Sequence, residues 1–170
     1  SGKAFWADST VVKALSERAD KIRPVLLGSF APELILMDTT GGFTSLYNSV
    51  KDSDFSIVMF YESDCGHCKR EIDKLKNLYD STSVNLKVFA VCTDTSLSEW
   101  KKFIVKKQMN WINVNATRSV TPDYHDLYNI YSTPTMFLLN DDKKIIAKRI
   151  LTDQIAELIK NLNKQRGAGK

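Results

Sequence analysis

The chain has 170 residues and a formal net charge of +4, with 43% hydrophobic and 26% charged residues. This composition is typical of a soluble globular protein with one domain and an additional arm, and it excludes low-complexity and collagen-like chains. No apolar run approaches the roughly 18 residues of a membrane span. The positive charge is spread along the chain, which argues against a nucleic-acid partner. Three cysteines do not make a disulfide framework.

The N-terminal part predicts a helical arm. Apolar residues recur at helical spacing over residues 9–22, and Pro24 ends the pattern. We therefore expect an arm over residues 1–27 and place its boundary with the main domain between Pro24 and Pro32. Because the chain begins Ser-Gly-Lys without Met, this arm is compatible with the tail of a missing upstream domain, and a membrane anchor on the missing segment is equally compatible.

The main domain, over residues 28–164, alternates predicted strands with predicted helices. Strands are predicted at 34–37, 56–61, 86–92, 111–114, 135–139 and 145–149, with a partner for the first at 43–47. Helices are predicted after Cys68, over 97–109, over 124–130 and from a cap at Thr152 or Asp153. The pattern predicts an α/β fold (an α+β sandwich) with a mixed central sheet flanked by helices. Residues 165–170 are expected to form a disordered basic tail.

The tetrapeptide Cys65-Gly66-His67-Cys68 carries the chemistry. It lies where a buried strand ends and an amphipathic helix begins, so Cys65 meets the unpaired N–H groups and the dipole of the helix N-terminus, which favour a thiolate. Cys68 lies one turn further on, close enough to pair with Cys65. A thiolate at the first position can attack a disulfide, and its neighbour can resolve the mixed disulfide.

Three other interpretations of the cysteine pair are weaker. A structural disulfide closing so short a ring would remove little entropy from the unfolded chain. A zinc site would need a second pair of ligands, and only Cys92, His67 and His125 remain. Haem attachment needs a His directly after the second Cys, where this chain has Lys69. The placement between strand and helix therefore favours redox chemistry.

Two further segments, together with this motif, resemble the TlpA/ResA-like branch of the thioredoxin superfamily, which are bacterial thiol–disulfide oxidoreductases of the cell envelope. One is Ala31-Pro32, which opens an additional N-terminal strand and hairpin, and the other is Ser132-Thr133-Pro134-Thr135 at the closing hairpin. The resemblance covers roughly four fifths of the chain. The long connection between Cys92 and Pro134, a predicted helix and strand, resembles the insertion of this branch.

The resemblance implies a thioredoxin-like fold and a protein disulfide oxidoreductase without cofactor or metal, located in the bacterial envelope, most simply in the periplasm. Its partners would be protein disulfides or dithiols and an upstream thiol donor. It implies that Thr133-Pro134 is a cis peptide facing the cysteines, whose backbone pairs with the substrate. It also implies that Glu71 influences proton transfer near the cysteine pair; the alternative is an exposed carboxylate in the first helical turn.

The residues around the motif leave the direction of exchange open. Gly66-His67 resembles protein disulfide isomerases rather than thioredoxins, and a cationic or donating His67 beside Cys65 would stabilise the thiolate and so the reduced form. The two families differ by about 90 mV, or roughly 4 kcal/mol. The carboxylate of Asp64, the residue before Cys65, would disfavour a negative charge on the Cys65 sulfur. Met59 stands where thioredoxins keep a buried acid, and Cys92 is expected to be a buried small side chain.

Four functions follow, with a reductase as the leading one. An isomerase or oxidant of the same fold is the first alternative, because of Gly66-His67. A thiol peroxidase would need a Pro and a Thr or Ser ahead of its nucleophile, where this chain has Val58 and Glu62. A copper-binding module would use soft thiolates for Cu(I), but such sites usually separate their cysteines by three residues and add a distant His.

Overall fold

A computed structural model describes residues 9–169 of the chain. The helices are α1 (Ser9–Ile22), α2 (Leu46–Ser49), α3 (Gly66–Ser81), α4 (Leu97–Lys107), α5 (Tyr124–Tyr128) and α6 (Thr152–Ala168). The strands are β1 (Ile35–Asp38), β2 (Phe43–Ser45), β3 (Phe55–Tyr61), β4 (Leu86–Cys92), β5 (Ile112–Ser119), β6 (Thr135–Asn140) and β7 (Ile145–Lys148). Residues 1–8 of the predicted arm and residue 170 of the predicted tail lie outside the described residues. None of the described helices is long and apolar enough to span a membrane.

All seven strands form one mixed sheet, in the order β2-β1-β5-β4-β3-β6-β7. The central strands β3, β4 and β5 are parallel, and the remaining neighbours pair antiparallel. The additional N-terminal hairpin is β1 and β2, and the predicted insertion is α4 and β5. The predicted α/β class with a mixed sheet is therefore confirmed.

The sheet is covered on both faces, which explains why β3 is a continuous apolar run rather than an alternating one. Every residue of β3 is buried. Ile57, Met59 and Tyr61 pack into one core with α3, α4 and α6, whereas Val58 and Phe60 pack into a second core with α2 and α5. This two-sided burial fixes the end of β3, and with it the start of the motif loop.

Two predicted boundaries are corrected on the edge side of the sheet. β5 continues to Ser119, beyond the predicted 111–114, because it pairs with β4 and then with β1. Its second half is polar and exposed, so hydrophobicity does not reveal it. The predicted strand 43–47 ends at Ser45, whose hydroxyl accepts a hydrogen bond from the backbone N–H of Asn48 and begins a short helix.

The expectation of a disordered tail at 165–170 is wrong as far as Ala168, because α6 continues to that residue. The Arg166 guanidinium stacks 4.7 Å from the ring centroid of Phe55 and lies 3.5 Å from Asp54 and 3.4 Å from Asp141. These contacts hold the last turn against the start of β3 and the turn after β6, and a prediction from composition alone does not take them into account. The division at residue 27 between arm and domain stays a prediction.

Candidate active site

The motif lies at the carboxyl edge of the parallel strands, where loops from neighbouring strands meet. β3 ends at Tyr61, which is paired with Cys92 at the end of β4. Asp94, just beyond β4, accepts hydrogen bonds from the backbone N–H and the hydroxyl of Ser63, the N–H bond being 2.9 Å long. This carboxylate therefore anchors the loop that carries Cys65, and sequence patterns alone did not identify it.

Cys65 is the N-cap of α3. Its backbone is extended, with φ −82° and ψ 118°, and its Sγ accepts a hydrogen bond from the backbone N–H of Cys68 at 3.1 Å. The side chain is partly buried. Placing sulfur at the free N–H groups of a helix stabilises negative charge on it. The predicted position of Cys65 at the helix N-terminus is confirmed.

Cys68 has the opposite environment, because it is fully buried beneath Cys65. Burial, and secondly its hydrogen bond with Cys65, raise the pKa of the Cys68 thiol to about 12. At neutral pH Cys68 is therefore a thiol that substrate cannot approach from solvent. The two cysteines therefore differ in access, because Cys65 is partly exposed and Cys68 is buried.

The loop before β6 lies directly against Cys65. β6 pairs antiparallel with β3, with Thr135 opposite Phe60, and this register brings the preceding residues to the motif loop. The Thr133-Pro134 peptide bond is cis, and the Cys65 thiol donates toward the Thr133 carbonyl oxygen at 3.8 Å. The expectation of a cis peptide facing the cysteines is confirmed.

His67 points along α3 rather than to Cys65. Its Nε2 atom lies 3.9 Å from Glu71 Oε1, and its side chain is 47% exposed. Among the described contacts, none joins the His67 ring to Cys65. Gly66 is exposed at the start of the helix, where an added Cβ would meet nothing nearer than the Arg70 guanidinium at 3.7 Å.

Glu71 is not the exposed carboxylate that one interpretation expected, because its side chain is only 3% exposed. Its Oε2 atom accepts a hydrogen bond from the backbone N–H of Thr152 at 3.0 Å, and its Oε1 atom lies 3.7 Å from Lys74 Nζ.

The predicted cap of α6 by the Thr152 or Asp153 side chain is also corrected. The Glu71 carboxylate accepts from Thr152 N–H, and the Gln154 side chain accepts from Leu151 N–H, so these two groups satisfy the first turn of α6. Only the tertiary fold brings Glu71 to this helix end.

Replacing Glu71 with Ala should therefore destabilise the protein by about 1–3 kcal/mol, because the buried N–H of Thr152 loses its acceptor. Glu71→Gln should cost less, since an amide oxygen still accepts this hydrogen bond. Denaturant unfolding measures both. Asp80→Ala is the matched control on α3, because Asp80 is 56% exposed and its ion pair among residues 9–169 is with Lys76, so its effect should stay within about 0.5 kcal/mol. Equal losses for Glu71→Ala and Asp80→Ala would contradict this role.

A buried polar cluster lies under the motif loop, at the ends of β3 and β4. The Tyr61 hydroxyl accepts a hydrogen bond from Trp100 Nε1 at 3.1 Å, which ties α4 to the end of β3. Cys92 is buried, as predicted, and its Sγ accepts from the Asp94 N–H at 3.5 Å. Burial raises the pKa of both Tyr61 and Cys92. Both groups therefore stay protonated at neutral pH.

The remaining site expectations concern metal ligands and the peroxidase positions. Within residues 9–169, no three His, Cys, Asp or Glu side chains are grouped so that they could hold a metal ion. Val58 is buried in the middle of β3, and Glu62 is exposed, with its carbonyl accepting from Cys65 N–H at 3.3 Å. The pair of cysteines, the cis peptide and the loop anchor are the groups that the fold brings together.

Comparison with known proteins agrees with this geometry. The model of the AhpC/TSA family matches residues 27–148, which is most of the chain. The chain belongs to the AhpC/TSA family. No curated protein matches it significantly.

Three similar solved structures come from bacteria. A domain of a possible thiol-disulfide isomerase from Cytophaga hutchinsonii is 34% identical, with a TM-score of 0.70 over 85% of this chain and 98% of that chain. A thiol:disulfide interchange protein from Bacteroides sp. is 25% identical, with a TM-score of 0.68 over 81% and 90%. The thioredoxin domain of a thiol-disulfide oxidoreductase from Bacteroides vulgatus, 24% identical with a TM-score of 0.69 over 81% and 97%, shows the same fold.

These findings confirm the resemblance to TlpA/ResA-like members of the thioredoxin superfamily. They also support a general role as a thiol–disulfide oxidoreductase. This chain therefore has the fold of such enzymes, and its cysteine pair follows the end of the central strand β3.

Proposed function

We propose that the protein exchanges disulfides with other proteins through Cys65 and Cys68, and that it acts as a reductase. The observation that carries this proposal is the placement of the Cys65 sulfur: at the N-terminus of α3, hydrogen bonded to Cys68 N–H, and 3.8 Å from the carbonyl of Thr133. An oxidoreductase needs one accessible nucleophilic sulfur beside a substrate-binding backbone and a second sulfur within reach. These groups meet both requirements.

The exchange proceeds in two steps. The Cys65 thiolate attacks one sulfur of the substrate disulfide, which breaks the S–S bond, and the leaving sulfur takes a proton from water. Cys68 then loses its proton and attacks the Cys65 sulfur, which releases the second substrate thiol and leaves a Cys65–Cys68 disulfide. The substrate gains two electrons and two protons. An upstream thiol donor returns the protein to its dithiol form.

The first step prepares the second. Burial is the largest cause of the raised Cys68 pKa, and the hydrogen bond and charge of Cys65 are further causes. When Cys65 is bound in the mixed disulfide, the contributions from Cys65 are lost and that of burial remains. Cys68 therefore becomes easier to ionise at the stage at which it must attack.

The loop at Thr133 and Pro134 is proposed to bind the substrate chain. It lies directly before the buried strand β6, so its position relative to Cys65 is fixed by sheet pairing rather than by loop contacts. A substrate strand lying along this loop would place its own cysteine beside the Cys65 sulfur. Gly66 has no side chain, so it leaves the Cys65 sulfur open to an approaching substrate.

The reducing direction is supported by the contacts of His67. A cationic His67 that donated to Cys65 would stabilise the thiolate and make the protein more oxidising. Here the ring nitrogen lies 3.9 Å from Glu71 Oε1, and Glu71 is held by the N–H of Thr152. The His67 ring therefore faces a carboxylate along the helix, and none of the described contacts joins it to the Cys65 sulfur.

Disulfide isomerisation is the second candidate, favoured by the similarity to the domain of a possible thiol-disulfide isomerase from Cytophaga hutchinsonii. For either candidate we propose a location in the bacterial envelope, because the solved relatives are bacterial and a protein disulfide substrate is stable in an oxidising compartment.

The redox equilibrium of the pair tests the direction. The protein is equilibrated against a series of reduced and oxidised glutathione, free thiols are alkylated, and mass spectrometry counts them; Cys92→Ser serves as the background. A potential near the thioredoxin value of about −270 mV supports the reductase, and one near about −180 mV supports the isomerase. If no reversible bond forms between residues 65 and 68, the exchange function is wrong.

A further inference from the structure

A groove lined by lysines lies next to the segment that precedes the cysteine pair. It has a volume of about 690 Å³ and lies between the motif loop and α4. Ser63 and Asp64, the two residues before Cys65, form its near wall, and Phe103 forms part of its floor. The near wall of the groove therefore leads into Cys65 along the chain.

Lysines dominate this groove. Lys69 from α3 and Lys102, Lys106 and Lys107 from α4 line it, against two carboxylates, Asp64 and Glu99. The sequence pattern explained the lysines of α4 only as a solvated helix face. In the fold they instead line a groove whose other wall is the segment just before Cys65.

Three of the four lysines already contact a carboxylate, but two of these contacts are weak. Lys107 is held by both oxygens of Asp73 at 2.9 Å. Lys102 contacts Glu99 at 2.8 Å on the exposed face of α4, and Lys69 lies 3.9 Å from Asp64. Exposed pairs of this kind are worth little and exchange readily for other carboxylates.

Lys106 is the most available of the four lysines. It is exposed and forms no ion pair with any residue between 9 and 169. A positively charged groove attracts negative ligands and raises their rate of association. The occupant that the groove fits must also reach Cys65, which requires a protein substrate rather than a free anion.

We propose that this groove selects protein substrates in which acidic residues flank the reactive disulfide. This inference rests on the proposed thiol–disulfide exchange and adds a substrate class to it. Lys69, Lys102 and Lys106 would bind the flanking carboxylates, while the substrate cysteine lies between Cys65 and Thr133.

Two peptide disulfides that differ only in flanking residues test the proposal. One carries Asp and Glu beside its disulfide, and the other carries Lys at the same positions. The dithiol protein is mixed with each at low ionic strength, and with neutral 2-hydroxyethyl disulfide, and the second-order rate constants are measured. The acidic peptide should react about tenfold faster than the basic one, and added salt should reduce the difference.

The double variant Lys102→Glu, Lys106→Glu should reduce the rate with the acidic peptide about tenfold and leave the neutral disulfide unaffected. Lys160→Glu, Lys164→Glu is the control with the same change of net charge. These two exposed lysines line a different groove, beside Leu78 at the far end of α3. The control should change the rate with the acidic peptide by less than about twofold.

Equal rates for the acidic and basic peptides, or equal losses in both double variants, would overturn the proposal. If the wild type reduces none of the three disulfides, the exchange function itself has failed. The groove is then judged by fluorescence anisotropy with a labelled acidic peptide without cysteine: binding that Lys102→Glu, Lys106→Glu abolishes upholds the groove, and absence of binding overturns it.

Discussion

Replacing Cys65 with Ser should reduce reduction of a protein disulfide to the rate seen without the protein. Cys65 is the sulfur that combines access from solvent with the N-terminus of α3, since Cys68 and Cys92 are both fully buried. A hydroxyl at position 65 would accept the same N–H hydrogen bond from Cys68, so the fold should be retained. Loss of activity with unchanged denaturant unfolding therefore separates chemistry from stability.

Replacing Cys68 with Ser should produce a different defect. Cys65 remains free to attack, so the first step should still occur and the mixed disulfide should accumulate, because the sulfur that releases it is missing. Intact mass spectrometry after mixing with excess peptide disulfide would show the protein plus one peptide chain. In the wild type the adduct should be transient and should be replaced by the Cys65–Cys68 disulfide.

Cys92→Ser is the matched control for both variants, because it removes a buried thiol outside the pair. Its activity should remain close to that of the wild type. A stable adduct on Cys65→Ser, or the same loss in all three variants, would contradict the assignment of Cys65 as nucleophile. A peroxide-consumption assay on the same samples separates disulfide exchange from the peroxidase alternative.

The central elements could be predicted because two-sided burial leaves a strong sequence signal. β3 and β4 are continuous apolar runs, and the helices after them bury one apolar face each. The cysteine motif and Thr133-Pro134 were identified because their residue types are tied to positions in the chain. Sheet pairing of β3 with β6 then brings these distant segments together.

The sequence singled out Glu71 but not its contact with α6, and it did not reveal Asp94, because both roles depend on tertiary contacts. Glu71 has the sequence appearance of a surface residue in the first turn of a helix, and only the packing of α6 on α3 shows that it accepts from Thr152. Asp94 follows a strand like many loop residues, yet it anchors Ser63. Residues 115–119 pair with β1 although their polar sequence carries no strand signal.

Replacing Trp100 with Ala should be the most destabilising change in the insertion, at about 3–5 kcal/mol. Trp100 is fully buried in the core between α4 and the sheet, and its Nε1–H donates to the Tyr61 hydroxyl. Truncation leaves a cavity and a buried hydroxyl without that partner. The melting temperature should fall by roughly 6–20 °C for a chain of this size.

Trp100→Phe keeps an aromatic ring in the core but removes the N–H donor and part of the indole volume, so it should cost less than Trp100→Ala, at about 1–3 kcal/mol. Val105→Ala on the same helix is the control, because Val105 is 77% exposed and its change should stay within about 0.5 kcal/mol. A Trp100→Ala loss below about 1 kcal/mol would mean that α4 is not anchored through this residue.

Well below their melting temperatures, all three variants should still reduce the neutral disulfide, because the anchor fixes α4 and supplies none of the reacting atoms. By contrast, the preference for the acidic peptide should weaken in Trp100→Ala, since the lysines that line the groove are carried by the helix that Trp100 holds in place.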